Sequence, residues 1–399
     1  MSNPKLNSSV VRLAIAQALA GANSTVVYAT GAIIGNLLAP RPELATLPIS
    51  VFVVGMALTT LPVGMLARRY GRHVAFLFGN LCGVVAGLGA ALALVIQSFP
   101  LFCFALLFGG AYAAVVLTFR FAAAECVDEE HRPRALSAVL AGGVAAGVLG
   151  PQLVTGTMNL WSPHIYAVTY ITAAGVAVLS AIVLAGVKFE RKPSNPDRAS
   201  GRPIATILAQ PRFIVAMLCG IVSYTMMNFM MTSAPLAMEL CGISRANANV
   251  GIEIHVIAMY APSFFTGRLI SRFGALNVTL AGLALIALAA LAGLAGMTVN
   301  HFWVALLLLG AGWNLGFLGA SAQVLACHRP EEGARVQSLN DFVVFGAMVV
   351  GSFVSGNLLS EFGWSLVSAL ILPPVVVAII GAIWMKSSLR SLAGAVERS

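Results

Sequence analysis

The sequence predicts an all-α integral membrane protein of twelve helices in two six-helix halves, and three observations predict it. Of its 399 residues, 59% are hydrophobic and only 9% charged, with a mean hydropathy of +0.91; a soluble domain carries about 25% charged residues. Apolar stretches long enough to cross a hydrocarbon core of ~30 Å recur twelve times. The second six segments also repeat motifs of the first six at nearly one offset.

In chain order the segments are expected at 10–38, 45–67, 74–97, 100–124, 134–158 and 164–187, then at 212–240, 245–266, 275–297, 301–326, 335–360 and 364–386. The first is too long for a secretory signal and is followed by eleven more, so it is expected as a retained helix. Alternate loops carry Arg68, Arg69 and Arg72, then Arg120, Arg132 and Arg134, then Arg268 and Arg272, then Arg329 and Arg335; the opposite side has only Arg41 and Arg245. The positive-inside rule places the arginine-rich side and both termini in the cytosol. That bias accounts for the net charge of +9 with no nucleic acid as partner, leaving the lipid bilayer as the surrounding.

Between segments six and seven, Lys188 to Pro203 is charged, proline-rich and without apolar periodicity. It divides the chain into an N-terminal half (1–187), a cytosolic linker (188–211) and a C-terminal half (212–399). The halves repeat at three places. Gly64-Met-Leu-Ala-Arg-Arg-Tyr-Gly71 matches Gly267-Arg-Leu-Ile-Ser-Arg-Phe-Gly274; Gly109-Gly-Ala-Tyr112 matches Gly310-Ala-Gly-Trp313; Arg134-Ala-Leu-Ser137 matches Arg335-Val-Gln-Ser338. A duplicated unit with a midplane site between its copies is the plan of a secondary transporter. No GxxxxGK[ST], GxGxxG or GxSxG motif is present and the six cysteines form no CxxC, so neither an enzyme nor a permanent cofactor is expected.

The loop after segment two resembles the signature of the major facilitator superfamily, G-x-L-A-D-R-x-G-R-R/K, at Gly64, Leu66, Ala67, Arg69, Gly71 and Arg72. Arg68 stands where that family has Asp, which removes the ion pair this Asp makes with the neighbouring half. Gly267, Arg272 and Gly274 form the second copy. The resemblance implies a transporter whose halves rock about a central site, gated at these loops.

Segments seven and eight carry the unusual chemistry. Met227 and Met231 are four residues apart, as are His255 and Met259, so each pair occupies one face of its helix. The segments are expected as antiparallel neighbours joined near Gly242. At ~1.5 Å per residue both pairs then lie roughly 15–20 Å from the turn, near the bilayer midplane. Three thioethers and an imidazole suit Cu(I) far better than magnesium, calcium or manganese. Methionine is also an ordinary filler of apolar helices, whereas a mid-membrane histidine is costly and points to function.

MetxxxMet followed by HisxxxMet resembles the CcoA-like (CalT) family of bacterial copper importers. The resemblance implies import of copper across the bacterial inner membrane, in support of cbb3-type cytochrome oxidase biogenesis. It nominates Met227, Met231, His255 and Met259 as copper ligands and Cys219 and Cys241 as relay thiols, with periplasmic or cytoplasmic copper chaperones as partners. Relatives in the same group carry riboflavin, so the alternative expectation is an organic solute, by riboflavin import or drug–proton antiport. Gly142-Gly143, Gly147 and Gly150-Pro151 partly match an antiporter pattern, though small residues also serve helix packing. Asp341, about one turn into segment eleven, is the candidate for proton coupling. Arg120, Glu125, Glu331, Glu332 and Arg335 are expected in a cytoplasmic gate, and Asn23, Tyr28, Asn36, Tyr112 and Trp313 as cavity-lining groups.

Overall fold

A chain in lipid leaves no backbone donor or acceptor unpaired, so apolar segments of this length become α-helices. The computed structural model describes residues 7–128, 131–188, 202–329 and 332–396, and these contain helices and no strand. The first half comprises α1 (Ser8–Leu38), α2 (Leu47–Tyr70), α3 (Arg72–Val95), α4 (Phe99–Leu117), α5 (Phe119–Glu125), α6 (Arg132–Thr157) and α7 (Ala167–Ala185). After the short α8 (Ile204–Leu208) come α9 (Pro211–Leu240), α10 (Arg245–Tyr260), α11 (Ser263–Phe273), α12 (Ala275–Ala295), α13 (Val299–Leu325), α14 (Gly333–Ala369) and α15 (Leu372–Val396).

Eleven described stretches are long and apolar enough to cross a membrane. The twelfth is α10 with α11, expected as one helix over 245–266 and found broken at Ala261–Pro262. Pro262 has no N–H, so the ladder loses a bond there. Asn314 of α13 repairs the break: its amide donates to the Met259 carbonyl at 2.6 Å and the Ser263 hydroxyl at 2.7 Å, and Thr266 donates to its oxygen at 2.8 Å. Gly71 (φ +91°) and Gly274 (φ +83°) end α2 and α11 in the same left-handed turn, a conformation at ease only for glycine.

Helix α1 packs on α6 and α7, and α2 on α4; in the second half α9 packs on α14 and α13, and α10 on α13. The two sets meet along α2 with α14 and along α6 with α10 and α11. Two glycines set the wall positions. A Cβ on Gly110 would fall on the Phe52 carbonyl, and one on Gly310 would lie 2.5 Å from the His255 carbonyl and 2.9 Å from the Met259 nitrogen. The missing side chains therefore let α4 approach α2, and α13 approach α10, backbone to backbone.

Most of the expected linker lies outside the described residues. Its described end is fixed rather than loose. Arg202 donates from its side chain to both Glu332 carboxylate oxygens (3.0 and 2.8 Å) and from its backbone N–H at 2.9 Å, and Arg335 donates to the Arg202 carbonyl at 2.6 Å. Ile207 of α8 is fully buried. The Arg202 guanidinium, with backbone N–H groups assisting, pulls the Glu332 carboxyl down to about 2.

Two outcomes follow from this packing. Gly310→Ala should destabilise the fold by about 1–3 kcal/mol and lower its thermal midpoint in detergent, while Gly175→Ala, whose Cβ meets nothing within 4 Å, should not. A depressed carboxylate contributes stability above its ordinary range and loses it as pH falls through the folded value. Infrared titration should thus show Glu332 ionised until about pH 2, and Arg202→Leu should return it towards an ordinary glutamate; an unchanged titration counts against the pairing.

Candidate transport site

Between the halves lies a cavity with about 70 Å³ of free space. Its C-terminal wall is Tyr224, Met227 and Met231 of α9 with His255, Met259 and Tyr260 of α10. The structure thus brings all four nominated copper ligands to one cavity. It does so without the expected hairpin. Helix α9 lies chiefly against α14 and α13, and α10 against α13 and α6, so the two converge at the cavity instead of packing as neighbours along their lengths.

The opposite wall was only partly foreseen. Tyr28 lines the cavity as expected, with Phe52 and Met56 of α2 and Gln17 of α1. The cavity residues of the two halves correspond at the offset that relates Gly64 to Gly267: Gly21 with Tyr224, Ser24 with Met227, and Tyr28 with Met231 on α1 and α9. On α2 and α10 the same offset relates Phe52 to His255 and Met56 to Met259. The repeat carried this signal, because HisxxxMet has the counterpart PhexxxMet. Both walls therefore carry aromatic rings and thioether sulfur, Tyr28, Phe52 and Met56 on the first and Tyr224, Tyr260, Met227, Met231 and Met259 on the second, and the imidazole of His255 stands on the second alone.

His255 is fully buried. Its Nδ1 lies 2.8 Å from the Leu306 carbonyl, an acceptor only, so Nδ1 carries the proton and Nε2 is left as an acceptor. Nε2 has no partner, and neither does Gln17 Oε1. Among the described residues no three of His, Cys, Asp and Glu cluster as metal ligands, so a metal held at this cavity would rest on thioethers.

The thiols do not join the cavity. Buried Cys219 faces the Ala378 carbonyl of α15 at 4.0 Å, and exposed Cys241 lies 3.9 Å from the Met297 sulfur. Each sits about 80° around the helix from the cavity methionine nearer to it, so neither thiol stands on the face that meets the cavity. Asn23 and Tyr112 line a separate cavity of about 20 Å³ in the first half, Asn36 is exposed, and Trp313 stacks on Phe317 at 5.4 Å. The glycine run of α6 serves close packing: Gly143 lies under the Tyr260 ring, and a Cβ on Gly147 would lie 2.9 Å from Val256.

Among the described residues three side-chain ties join the halves. Tyr28 donates to Asn228 at 2.9 Å, Ser50 and Ser352 hydroxyls meet at 3.1 Å, and one Arg120 nitrogen reaches both Asp341 oxygens at 3.1 and 3.2 Å. Arg120 and Asp341 are both buried. The guanidinium lies over the rings of Phe121 (4.3 Å) and Phe317 (4.6 Å), and its Nε and Nη1 have no hydrogen-bond partner. Asp341 shares a small cavity with Gly64 and Arg72 of the loop signature, and Arg72 pairs with Glu125. Arg69 and Arg272 lie over the adjacent Tyr70 and Phe273 rings, each at 5.2 Å. Of the other expected gate residues, Glu332 and Arg335 hold Arg202, and Glu331 lies outside the described residues.

The sequence profile described as Major Facilitator Superfamily matches residues 13–261 and 216–396, and the chain belongs to that family. Riboflavin transporter RfnT of Brucella anthropi is 42% identical over 374 residues, spanning 93% of this chain and 94% of its own. An uncharacterised MFS-type transporter of Bacillus subtilis, YddS, is 26% identical over 92% of this chain and 89% of its own. The fold is also that of the human organic anion transporter MFSD10, with a TM-score of 0.73 at 14% identity, covering 95% of this chain and 100% of that one. These likenesses give no support to membership of the copper-importer family.

Asp341→Asn leaves the Arg120 charge buried and unpaired, and breaking such a pair typically costs about 3–5 kcal/mol. The thermal midpoint of that variant should fall clearly, and an Arg120→Leu, Asp341→Leu double variant should recover most of the loss. A single variant as stable as the wild type would show that the pair does not hold the halves.

Proposed function

We propose that this facilitator carries riboflavin, or a flat heteroaromatic solute of that class, across the bacterial inner membrane into the cytoplasm. The observation that carries the reading is the match, over nearly the full length of both chains, to a protein named as a riboflavin transporter. The cavity chemistry agrees with it. Tyr28, Phe52, Tyr224 and Tyr260 offer ring faces, and Met56, Met227, Met231 and Met259 offer polarisable sulfur, which packs favourably against aromatic rings. Pockets for organic ligands run to about 300–1,000 Å³, so the present 70 Å³ belongs to a closed state, and loading requires the halves to part. Asp341 is the acid we assign to proton coupling: protonation removes one charge from its tie to Arg120 and favours opening at that end.

A second reading, copper import, rests on one observation: Met227, Met231, His255 and Met259 share the cavity and His255 Nε2 is unpartnered. Soft sulfur with a neutral imidazole suits Cu(I) as cargo.

Uptake assays separate the two. In cells lacking their own riboflavin uptake, the wild-type chain should accumulate labelled riboflavin. Tyr224→Ala and Phe52→Ala should each lower it about tenfold, the worth of one stacked aromatic contact, and Asp341→Asn should flatten its pH dependence. Copper accumulation that depends on Met231 and His255, with no riboflavin uptake, would decide for the second reading.

A further inference from the structure

We infer that His255 is the specificity-determining acceptor of the site, taking a hydrogen bond through Nε2 from the imide N–H of the solute's flavin ring. This rests on the riboflavin reading. The bond from Nδ1 to the Leu306 carbonyl at 2.8 Å fixes the tautomer, so Nε2 presents a lone pair and cannot present a proton. Nε2 has no partner in the structure. A buried acceptor left in that state is costly and calls for an explanation. Gly310 supplies part of it, because the absence of a Cβ there brings the His255 backbone against α13, where Leu306 can hold the ring.

The duplicated register sharpens the assignment. Phe52 occupies the position of His255 in the first half, held by Gly110 as His255 is by Gly310. Packing at this position is therefore satisfied by a hydrocarbon ring, and the imidazole adds an acceptor that packing does not require. The groups around His255 select the kind of donor. Met227, Met231 and Met259 are weak acceptors without a proton to give, and the aromatic rings favour a flat partner over a hydrated polyol. The other orphaned oxygen on the wall, Gln17 Oε1, belongs to an amide that can turn and donate instead. His255 is the acceptor that cannot turn. A flat solute bearing an N–H on its ring edge fits this arrangement, and the imide N–H is the ring donor of oxidised riboflavin.

The test uses the full-length protein in nanodiscs, with binding of riboflavin and of N3-methylriboflavin followed by flavin fluorescence. The wild type should bind the methylated ring at least tenfold more weakly. His255→Phe, which places the first-half residue in the second half, should weaken riboflavin binding at least tenfold and abolish the discrimination. Equal binding of the two flavins by the wild type overturns the assignment while leaving riboflavin as the solute, and that comparison needs no variant. Discrimination that persists in a folded His255→Phe protein, judged by its elution and thermal midpoint, also overturns it. No binding of riboflavin by the wild type overturns the transport reading, and this assignment with it.

Discussion

Two backbone contacts that only glycine permits govern the shape of the site. Helices inside a membrane gain nothing from leaving lipid for one another, so they associate where side chains are small enough for close van der Waals contact. Gly110 gives α2 such a place on α4, and Gly310 gives α10 one on α13. These contacts set the depth and rotation of Phe52 and Met56 on one side and His255 and Met259 on the other. The scaffold repeats while the side chains do not. A solute between the halves therefore meets aromatic and thioether groups on both sides and an imidazole on one.

The ties between the halves must hold without locking. A buried ion pair is close to neutral in stability when compared with well-packed apolar residues, yet losing one partner is expensive. The Arg120–Asp341 pair fits that description, with one guanidinium nitrogen serving both carboxylate oxygens and aromatic rings covering the faces of the cation. As the halves part, water replaces the lost contacts for both members at once, so the intact pair opens at modest cost. The hydroxyl ties at Tyr28–Asn228 and Ser50–Ser352 are each worth about 0.5–1.5 kcal/mol net. No single contact is strong enough to trap the closed form.

Much of this was legible in the sequence, and the losses have identifiable causes. Hydropathy sufficed for the segments because lipid leaves the backbone one choice. The loop signature and the Gly-x-x-aromatic repeat sufficed for the duplication. Pro262 stood in plain view inside segment eight, but the helix break it produces depends on Asn314, which is distant in sequence and repairs the exposed carbonyl. Helical spacing put Met227, Met231, His255 and Met259 on inward faces correctly. It could not show that α9 and α10 diverge onto different neighbours, since a short turn at Gly242 fixes only their ends. The first-half wall was recoverable: extending the Gly64–Gly267 offset inward leads from His255 to Phe52 and from Met259 to Met56. Two classes of cargo stayed open, because thioethers beside an imidazole suit a soft cation and a polarisable ring alike, and the aromatic residues that bear on the choice lie on four separate helices.

The polar groups of the cavity add a further constraint on closure. His255 Nε2 and Gln17 Oε1 are buried without a partner from the protein, and a buried polar group left unsatisfied costs about 1–3 kcal/mol. The 70 Å³ cavity has room for a few waters, which relieve part of that cost if they can reach both groups. A solute that offers a fixed donor to Nε2 relieves it more completely while filling the apolar remainder. On the proposed role of His255, binding of the solute would therefore favour closure. A carrier whose closed state is stabilised by its own cargo moves that cargo in preference to cycling without it, and on the role proposed for His255 that preference would rest on one imidazole nitrogen whose opposite edge is held by Leu306.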